Sequence, residues 1–145
     1  MEPQKNINWK WKDSYSFGIP IIDFEHKKFI GIYDKVANLI INKEQISDTE
    51  IIDVINEMIN YLKVHLKTEE NLIKQAGYPD FDGHIKQHKF FIEKIDEFNI
   101  SFSYKNKLLI NNLFVFIKKW FLLHIIQTDA KYVDCVKLYL KENPV

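Results

Sequence analysis

Histidines and acidic residues recur along this chain at spacings that place them on the apolar faces of helices. The segment GHIKQHKFF is the clearest case, because His84 and His88 are four residues apart and so project from nearly the same helix face. That face continues into Phe91 and Ile95, which are expected in the core. An imidazole buried without a partner destabilises a fold, so these rings are expected to bind something inside the protein.

The same arrangement recurs on each of four predicted helices. It involves all five histidines of the chain and two carboxylates that follow at helical spacing. The candidate ligands are His26, His65, Glu69, His84, His88, His124 and Asp129. A single histidine on an apolar stripe is usually a hydrogen-bonded core residue, but burying the whole set without a cation would be very unfavourable. The sequence therefore predicts a metal centre.

The number and type of these ligands indicate which metal they would bind. Seven protein ligands exceed the four of a structural zinc site and suit two ions that share bridging carboxylates. Imidazole binds several transition metals, whereas bridging carboxylates favour harder ions, so iron fits the mixture best. The sequence lacks the Glu-x-x-His motif of ferritin-like di-iron proteins and the His-Glu-x-x-His motif of zinc proteases. Its one cysteine, Cys135, excludes a cysteine-rich zinc site.

Helical periodicity and a few start and stop signals predict the elements that position these side chains. Pro20 is predicted to begin a first helix that reaches about residue 42. The capping box at residues 47–50 is predicted to begin the second helix, and Gly77 and Pro79 to end it. Asp80 or Asp82 would begin the third helix, from Phe81 to about residue 99, and Ser101 or Ser103 the fourth. Residues 130–142 are expected to form a short C-terminal helix. Residues 1 to about 18 are expected to form an arm that packs through Trp9, Trp11, Tyr15 and Phe17. We therefore expect an all-α fold, an up-down-up-down four-helix bundle that makes a single domain over residues 1–145.

Composition and charge narrow the classes of protein that this sequence can encode. Hydrophobic residues make up 46% of the chain and charged residues 28%, which is typical of soluble globular proteins. The formal net charge is zero and the lysines are spread among acids, which argues against nucleic-acid binding. No segment approaches the roughly 20 apolar residues of a membrane span, and the N-terminus has no apolar signal region. A cytoplasmic protein without membrane insertion is the resulting expectation.

The candidate ligands follow one another in the order His, His-x-x-x-Glu, His-x-x-x-His and His-x-x-x-x-Asp. These motifs appear as His26 in IIDFEHK, and as HLKTE, HIKQH and HIIQTD, with Trp9 in the arm and GYP before the third helix. In this order and spacing the chain resembles the hemerythrin family over nearly its whole length, and most closely the bacterial single-domain members. Glu25 departs from the family pattern, in which Gln stands beside the first histidine.

The resemblance implies a cofactor of two iron ions bridged by an oxo or hydroxo group. The implied ligands are His84, His88 and His124 for one iron, His26 and His65 for the other, and Glu69 and Asp129 as bridges between them. The two-histidine iron then keeps a vacant coordination position. The family binds O2 at that position.

A site that releases O2 intact must exclude water, so apolar side chains are expected around it. Aromatic and aliphatic residues flank the candidate ligands, and the predicted oxygen pocket consists of Phe29, Phe91, Trp120, Phe121 and Ile126. Apolar stripes also form the core of any helical bundle, so the pocket wall and the core are expected to coincide.

The spacing of His124 and Asp129 does not suit a regular helix. Five residues rotate the chain by roughly 140°, so these side chains would not share a face. The helix is therefore expected to end or bend between them, and a local hydrogen bond from the side chain of Thr128 is one way to produce the bend.

Several functions are compatible with such a centre. The favoured one is non-enzymatic, reversible O2 binding for storage, transport or delivery, because no acid–base residue beyond the ligands stands in an obvious place. The alternatives are oxygen or redox sensing through a separate partner, a di-iron oxidase, peroxidase or nitric-oxide-handling enzyme, and a helical bundle stabilised by zinc. No sequence feature indicates a protein that would receive the oxygen.

Overall fold

The computed structural model describes residues 9–42, 48–101 and 107–144, and it places five α-helices in them. The helices are α1 (Pro20–Asn42), α2 (Asp48–Gln75), α3 (Phe81–Ser101), α4 (Lys107–Leu123) and α5 (Val133–Glu142). Two short irregular segments join α4 to α5: a π-helical turn over His124–Thr128 and a 3-10 turn over Asp129–Tyr132. The arm carries one further 3-10 turn at Asp13–Tyr15. No strand occurs in these three stretches, so the prediction of an all-α protein is confirmed.

The first four helices form the predicted bundle, in which each helix packs against the next one in the chain. Contacts between α1 and α4 close it, since the hydroxyl of Tyr33 donates to the carbonyl of Phe114 at 2.8 Å and the rings of Phe29 and Phe121 lie 4.6 Å apart. Among the described residues, no helix combines the length and the apolar character that crossing a membrane requires.

Gly77, one of the two residues predicted to stop α2, shapes the link between α2 and α3. Gly77 adopts a left-handed conformation with φ of 71°, which places few restrictions on a glycine. Its N–H donates to the carbonyl of Lys74 at 3.1 Å, and the N–H of Tyr78 donates to the carbonyl of Ile73 at 3.1 Å. This pair of bonds is a Schellman motif, which satisfies carbonyls that the end of a helix leaves without partners.

The predicted helix starts agree with the structure in part. Asp80 holds the position before α3, where its carbonyl accepts from the N–H of His84 at 3.1 Å, while Asp82 lies inside the first turn. Ser101 is the last residue of α3, so the prediction that it opens α4 is wrong. The other two serines named as helix starts, Ser47 and Ser103, lie outside the described residues.

The arm packs against the bundle as predicted. The Trp9 ring is buried and meets the rings of Tyr33 and Phe121 edge-on, at 4.8 and 5.9 Å between centroids. Where the arm leads into α1, the carboxylate of Asp23 accepts a hydrogen bond from the hydroxyl of Ser16 at 2.6 Å. It also accepts hydrogen bonds from the backbone N–H groups of Phe17 at 2.8 Å and Gly18 at 3.2 Å. These bonds fix the arm over the end of the bundle that holds the candidate ligands.

Two apolar clusters lie on either side of the candidate ligands. The larger cluster fills the bundle and includes Trp9 and Tyr15 of the arm. The smaller cluster lies where α5 packs against the start of α1 and the end of α2. The buried members of the smaller cluster are Ile19, Ile22, Ile73, Tyr132 and Val136. The short C-terminal helix therefore covers the open end of the bundle.

Candidate metal centre

The seven candidate ligands all lie in the interior of the bundle. None is more than 3% exposed, and together they make up the buried polar and charged residues of the described chain. They come from α1, α2, α3 and the segment that joins α4 to α5, so four separate parts of the chain converge on one place. Their ligand atoms fall into two overlapping groups that could each hold a cation.

The larger group, here called the three-histidine group, combines His84, His88 and His124 with Glu69 and Asp129. Oε1 of Glu69 lies 2.8 Å from Nε2 of His84 and 2.9 Å from Nε2 of His88. Oδ1 of Asp129 lies 2.8 Å from Nε2 of His124 and 3.1 Å from Nε2 of His84. The ligand atoms of the group are all within 4.8 Å of one another.

These separations fit a shared cation. Two ligand atoms at right angles on an ion with bonds of ~2.1 Å lie about 3.0 Å apart. Nε2 of His88 and Nε2 of His124 are 3.0 Å apart, and they lie 2.9 and 3.6 Å from Oε1 of Glu69. A metal ion at the centre of the group would be bound by the Nε2 atoms of the three histidines and by one oxygen of each carboxylate.

The smaller group, here called the two-histidine group, consists of His26, His65 and Glu69. Both imidazoles place Nε2 3.9 Å from Oε2 of Glu69, and Nε2 of His26 also lies 3.5 Å from Oδ2 of Asp129. Within the described part of the chain, neither ring nitrogen of His26 has a hydrogen-bond partner, although the ring is fully buried. A buried imidazole without a partner is costly, and a metal ion bound to Nε2 would remove this cost for the nitrogen that faces Glu69 and Asp129.

The two carboxylates join the groups in the same way. Glu69 turns Oε1 to the three-histidine group and Oε2 to the two-histidine group. Asp129 likewise presents Oδ1 to His124 and Oδ2 to His26. In this arrangement each carboxylate could bind one ion through each of its oxygens.

A π-helical turn brings His124 and Asp129 onto the same face. The N–H of Asp129 donates to the carbonyls of His124 and Ile125, so the turn is one residue wider than in an α-helix. The bend expected from the spacing is present. Its proposed cause was wrong, because the hydroxyl of Thr128 donates to Oε1 of Gln87 on α3 at 2.8 Å, not to the local backbone.

The outer nitrogens of three candidate ligands contact polar residues on neighbouring helices. Nδ1 of His65 lies 2.7 Å from Oε1 of Glu25, Nδ1 of His88 lies 2.8 Å from Oε2 of Glu70, and Nδ1 of His124 lies 3.3 Å from Oε1 of Gln87. Such partners orient metal-binding imidazoles and raise their basicity. Of these three partners, the sequence pattern singles out only Glu25, as a departure from a family pattern. The available signal was that Glu70 and Gln87 each stand directly beside a candidate ligand.

Among the described residues, Tyr132 adds a hydroxyl that reaches Glu69, one of the two candidate bridging carboxylates. Its phenol donates to Oε2 of Glu69 at 2.9 Å, and the residue is fully buried. Burial, together with the nearby charges of Glu69 and Asp129, raises the pKa of this phenol well above its ordinary value. The hydroxyl therefore stays protonated and available as a donor.

Without a cation, the histidines and carboxylates of the site share protons. Burial lowers the pKa of His84 and His124, but hydrogen bonds and attraction from Asp129 and Glu69 outweigh it, so both rise to about 9. Burial opposes the charged form of Glu69, but hydrogen bonds from the histidines hold its pKa well below the ordinary value. Burial and the neighbouring His65 lower the pKa of His26 to about 4. In the metal-free protein the carboxylates therefore favour positive charge on His84 and His124, whereas His26 stays neutral near pH 7.

Two of the predicted pocket residues lie beside the two-histidine group. The ring of Phe121 is 5.4 Å from that of His26 and 6.3 Å from that of His65. The ring of Phe29 packs against Phe121 at 4.6 Å. The arm adds Phe17, whose ring meets His26 edge-on at 5.8 Å and which the sequence did not assign to the pocket. Phe17, Phe29 and Phe121 therefore form the apolar surroundings of this group.

The other predicted pocket residues lie elsewhere. Trp120 stacks on the ring of His124 at 4.4 Å, and Phe91 stacks on Trp120 at 3.9 Å, so both belong beside the three-histidine group. The side chain of Ile126 is 58% exposed, so the prediction that it walls an interior pocket is wrong. Its place in the middle of the π-helical turn directs it toward solvent while His124 and Asp129 face inward.

Comparison with known proteins relates the whole arrangement to one family. The model of the hemerythrin HHE cation binding domain matches residues 18–136. A bacteriohemerythrin of Clostridium acetobutylicum is 32% identical over 126 residues, which are 86% of this chain and 98% of that protein. A bacteriohemerythrin of Pseudomonas aeruginosa is 30% identical over 91% of this chain and 84% of that protein, and a myohemerythrin of Theromyzon tessulatum is 25% identical over 86% and 90%. The search of solved structures gave no significant match.

Proposed function

We propose that this chain, which belongs to the hemerythrin family, binds O2 reversibly at a non-haem di-iron centre and serves in oxygen storage, transport or delivery. The observation that carries the proposal is the unequal size of the two ligand groups. Three imidazoles point into one group and two into the other, and the same two carboxylates reach both. An ion held by the two imidazoles and by one oxygen from each carboxylate would have fewer protein ligands than its neighbour and could bind a further ligand.

Each of the seven ligands has a defined part in this proposal. His84, His88 and His124 would hold one iron, and His26 and His65 would hold the other. Glu69 and Asp129 would contribute to both and offset part of their positive charge. When bound, the ferrous pair supplies two electrons to O2 and regains them when O2 leaves.

The surroundings of the two-histidine group support a binding site that releases its ligand unchanged. Phe17 and Phe121 bring apolar rings to its imidazoles, and Phe29 packs behind Phe121, so that water, which would otherwise deliver protons, is excluded. The hydroxyl of Tyr132, which reaches Glu69 of this group, is already engaged in that hydrogen bond. Among the described residues contacting this group, the one further acid is Glu25, which lies at the outer nitrogen of His65. An oxidase would need an acid or base at the open position, so the carrier function fits this pocket better than an enzymatic one.

Metal analysis combined with absorption spectra tests the proposal directly. We expect about two irons per chain, as a pair of ions sharing ligands requires. We also expect a visible ligand-to-metal band that appears when O2 is added to the reduced protein and fades when O2 is removed. One zinc per chain, or irreversible bleaching on the first exposure to O2, would contradict the carrier function.

A histidine substitution tests the proposed ligand set. His88→Ala removes one imidazole from the three-histidine group, so iron content and the oxygen-dependent band should fall strongly while the helical circular dichroism persists. Lys89→Ala is the matched control, because Lys89 is the exposed neighbour on the same helix. Full iron content and reversible oxygenation in His88→Ala would show that the ligand assignment is wrong.

A further inference from the structure

The π-helical turn between His124 and Asp129 depends on contacts from outside its own helix. The turn places both side chains at the centre, but π-helical backbone is rare and is found mostly as single turns at functional sites. None of its caps carries a side-chain hydrogen bond. The neighbouring helix α3 supplies the support.

One oxygen on α3 contacts both ends of this turn. Oε1 of Gln87 lies 2.8 Å from the hydroxyl of Thr128, the last residue of the turn, and 3.3 Å from Nδ1 of His124, the first. The two contacts span 41 and 37 residues of sequence, so they tie separate helices together. Gln87 therefore holds the turn across its full length.

The protonation of His124 fixes which end of the amide faces it. Nε2 of His124 lies 2.8 Å from Oδ1 of Asp129, among the inward-pointing ligand atoms. An imidazole that binds a metal through Nε2 carries its proton on Nδ1, so Nδ1 donates and needs an acceptor. The carbonyl oxygen of Gln87 can accept this bond and the bond from Thr128 at once, because it has two lone pairs.

The chemistry at this position differs from that at the other outer nitrogens. Glu25 and Glu70 present carboxylates to His65 and His88, whereas His124 meets a neutral amide. A carboxylate at position 87 would accept the same two hydrogen bonds but would add a negative charge beside a centre that already contains Glu69 and Asp129. The amide holds the geometry without that charge.

We propose that Gln87 is a positioning residue for the three-histidine group: its side-chain oxygen holds His124 and Thr128 together, so that the π-helical turn keeps His124 and Asp129 on the same ion. The proposal rests on the proposed function for its importance to O2 binding. The positioning itself is a property of the metal-free protein and can be measured there.

Hydrogen exchange in the metal-free protein is the first test. In Gln87→Ala and Thr128→Val, the backbone amides of residues 124–129 should exchange about tenfold faster, because the turn loses its anchor on α3. Thr128→Ser keeps the hydroxyl and should restore protection. Gln127→Ala is the matched control, since Gln127 is an exposed glutamine on the same turn. Equal exchange in Gln87→Ala and Gln127→Ala would overturn the proposal.

Metal binding and redox potential separate positioning from charge. Fe(II) affinity measured without O2 should fall about tenfold in Gln87→Ala and stay unchanged in Gln127→Ala. Gln87→Glu should keep the exchange protection but lower the midpoint potential of the iron centre, because the added charge stabilises the oxidised ions. Unchanged Fe(II) affinity in Gln87→Ala, or an unchanged potential in Gln87→Glu, would contradict the proposal. Neither measurement involves O2, so a failure of the carrier function would appear separately, as absent or irreversible oxygenation in the unsubstituted protein.

Discussion

Single residues at the centre are defined as much by their outer partners as by the ligand atoms they present. The sequence brought out all seven residues that the structure gathers into two groups, because histidines on apolar stripes are conspicuous and their helical spacing is simple. It did not bring out Glu70 or Gln87, because their roles depend on which faces of neighbouring helices meet. That the seven residues bind iron stays a prediction.

Tyr132 shows how one hydrogen bond stabilises the metal-free centre. Tyr132→Phe keeps the ring, which packs against Phe17 and Tyr78, but removes the donor to Glu69. We expect the free energy of unfolding to fall by about 2 kcal/mol, the usual effect of losing a buried hydrogen bond to a charged group. Urea denaturation of the metal-free protein measures it, with Tyr139→Phe as the control at a half-buried tyrosine. Equal losses in the two variants would show that the bond to Glu69 contributes nothing.

The shifted histidines predict how the metal-free protein responds to alkaline pH. The pKa of His84 and that of His124 are about 9 in the folded protein, above the ordinary value of 6.5. Folding therefore favours their protonated forms, and this stabilisation is complete below about pH 6.5 and lost as the pH rises through about 9. Thermal unfolding of the metal-free protein at several pH values should show a falling midpoint over this window. A flat or rising midpoint between pH 6.5 and 9 would contradict the assignment.

In acid, stability depends on a histidine whose pKa is lowered by folding, not raised. The pKa of His26 falls to about 4 in the folded protein, so folding favours its neutral form. The unfolded chain takes up this proton below about pH 6.5, and stability is lost as the pH falls toward 4. The protonation of Glu69, whose pKa is also depressed, adds to the loss at lower pH. The metal-free protein is therefore expected to be most stable near pH 6.5, and the same unfolding series should show a decline on the acid side.

The elements of the fold differ in how well the sequence predicts them. Helix α1 begins at Pro20 and ends at Asn42 as predicted, since proline at the first turn and helical periodicity are local signals. The end of α2 at Gln75 is equally local, because Gly77, two residues later, adopts the positive φ that closes the helix. The π-helical turn could be inferred only as some bend, because its form depends on Gln87, a residue on another helix.

The arm acts as a cover for the two-histidine group, and Asp23 is its anchor. Asp23→Ala removes the acceptor for Ser16, Phe17 and Gly18, so Phe17 should move away from His26 more often. A loss of ~1.4 kcal/mol of anchoring raises the population of the open arm about tenfold. We expect the iron-loaded protein to autoxidise faster by up to this factor, because water reaches the pocket more readily. The rate is measured as the decay of the oxygenated absorption band.

The control for the arm is Asp13→Ala, which removes an exposed acid from the arm without touching this anchor. Faster autoxidation in both variants would indicate a general loss of stability. An unchanged rate in Asp23→Ala, with faster hydrogen exchange in the arm, would show that Phe17 does not protect the centre.

At the scale of the whole molecule, the metal centre and the bundle depend on each other. The candidate ligands come from four separate parts of the chain, so ions bound between them would link α1, α2, α3 and the segment after α4. The sequence predicted this architecture because each helix carries both an apolar stripe and at least one candidate ligand. That the whole chain forms one domain stays a prediction, although the family match reaches from residue 18 to residue 136.

A cation that binds only the folded chain must also stabilise it. Fe(II) added without O2 should raise the midpoint of thermal unfolding. A ligand at 100 times its dissociation constant increases the free energy of unfolding by about 2.7 kcal/mol. The two ligand groups should contribute separately, and substitutions can distinguish them. His65→Ala removes a ligand from the two-histidine group alone, so about one iron per chain and part of the thermal shift should remain. Glu69→Gln alters the residue that both groups share, so it should lose most of both.

The measurement compares each variant with its own metal-free form, so that differences in intrinsic stability cancel. If Glu69→Gln gained as much thermal stability from Fe(II) as the unsubstituted protein, Glu69 would not join the two ions. If His65→Ala instead lost all of its iron, the groups would fill only together, and the bridging carboxylates would couple them more strongly than two independent sites allow. The expected order of the thermal shift is therefore the unsubstituted protein, then His65→Ala, then Glu69→Gln. This order follows from Glu69 facing three imidazoles with one oxygen and two with the other.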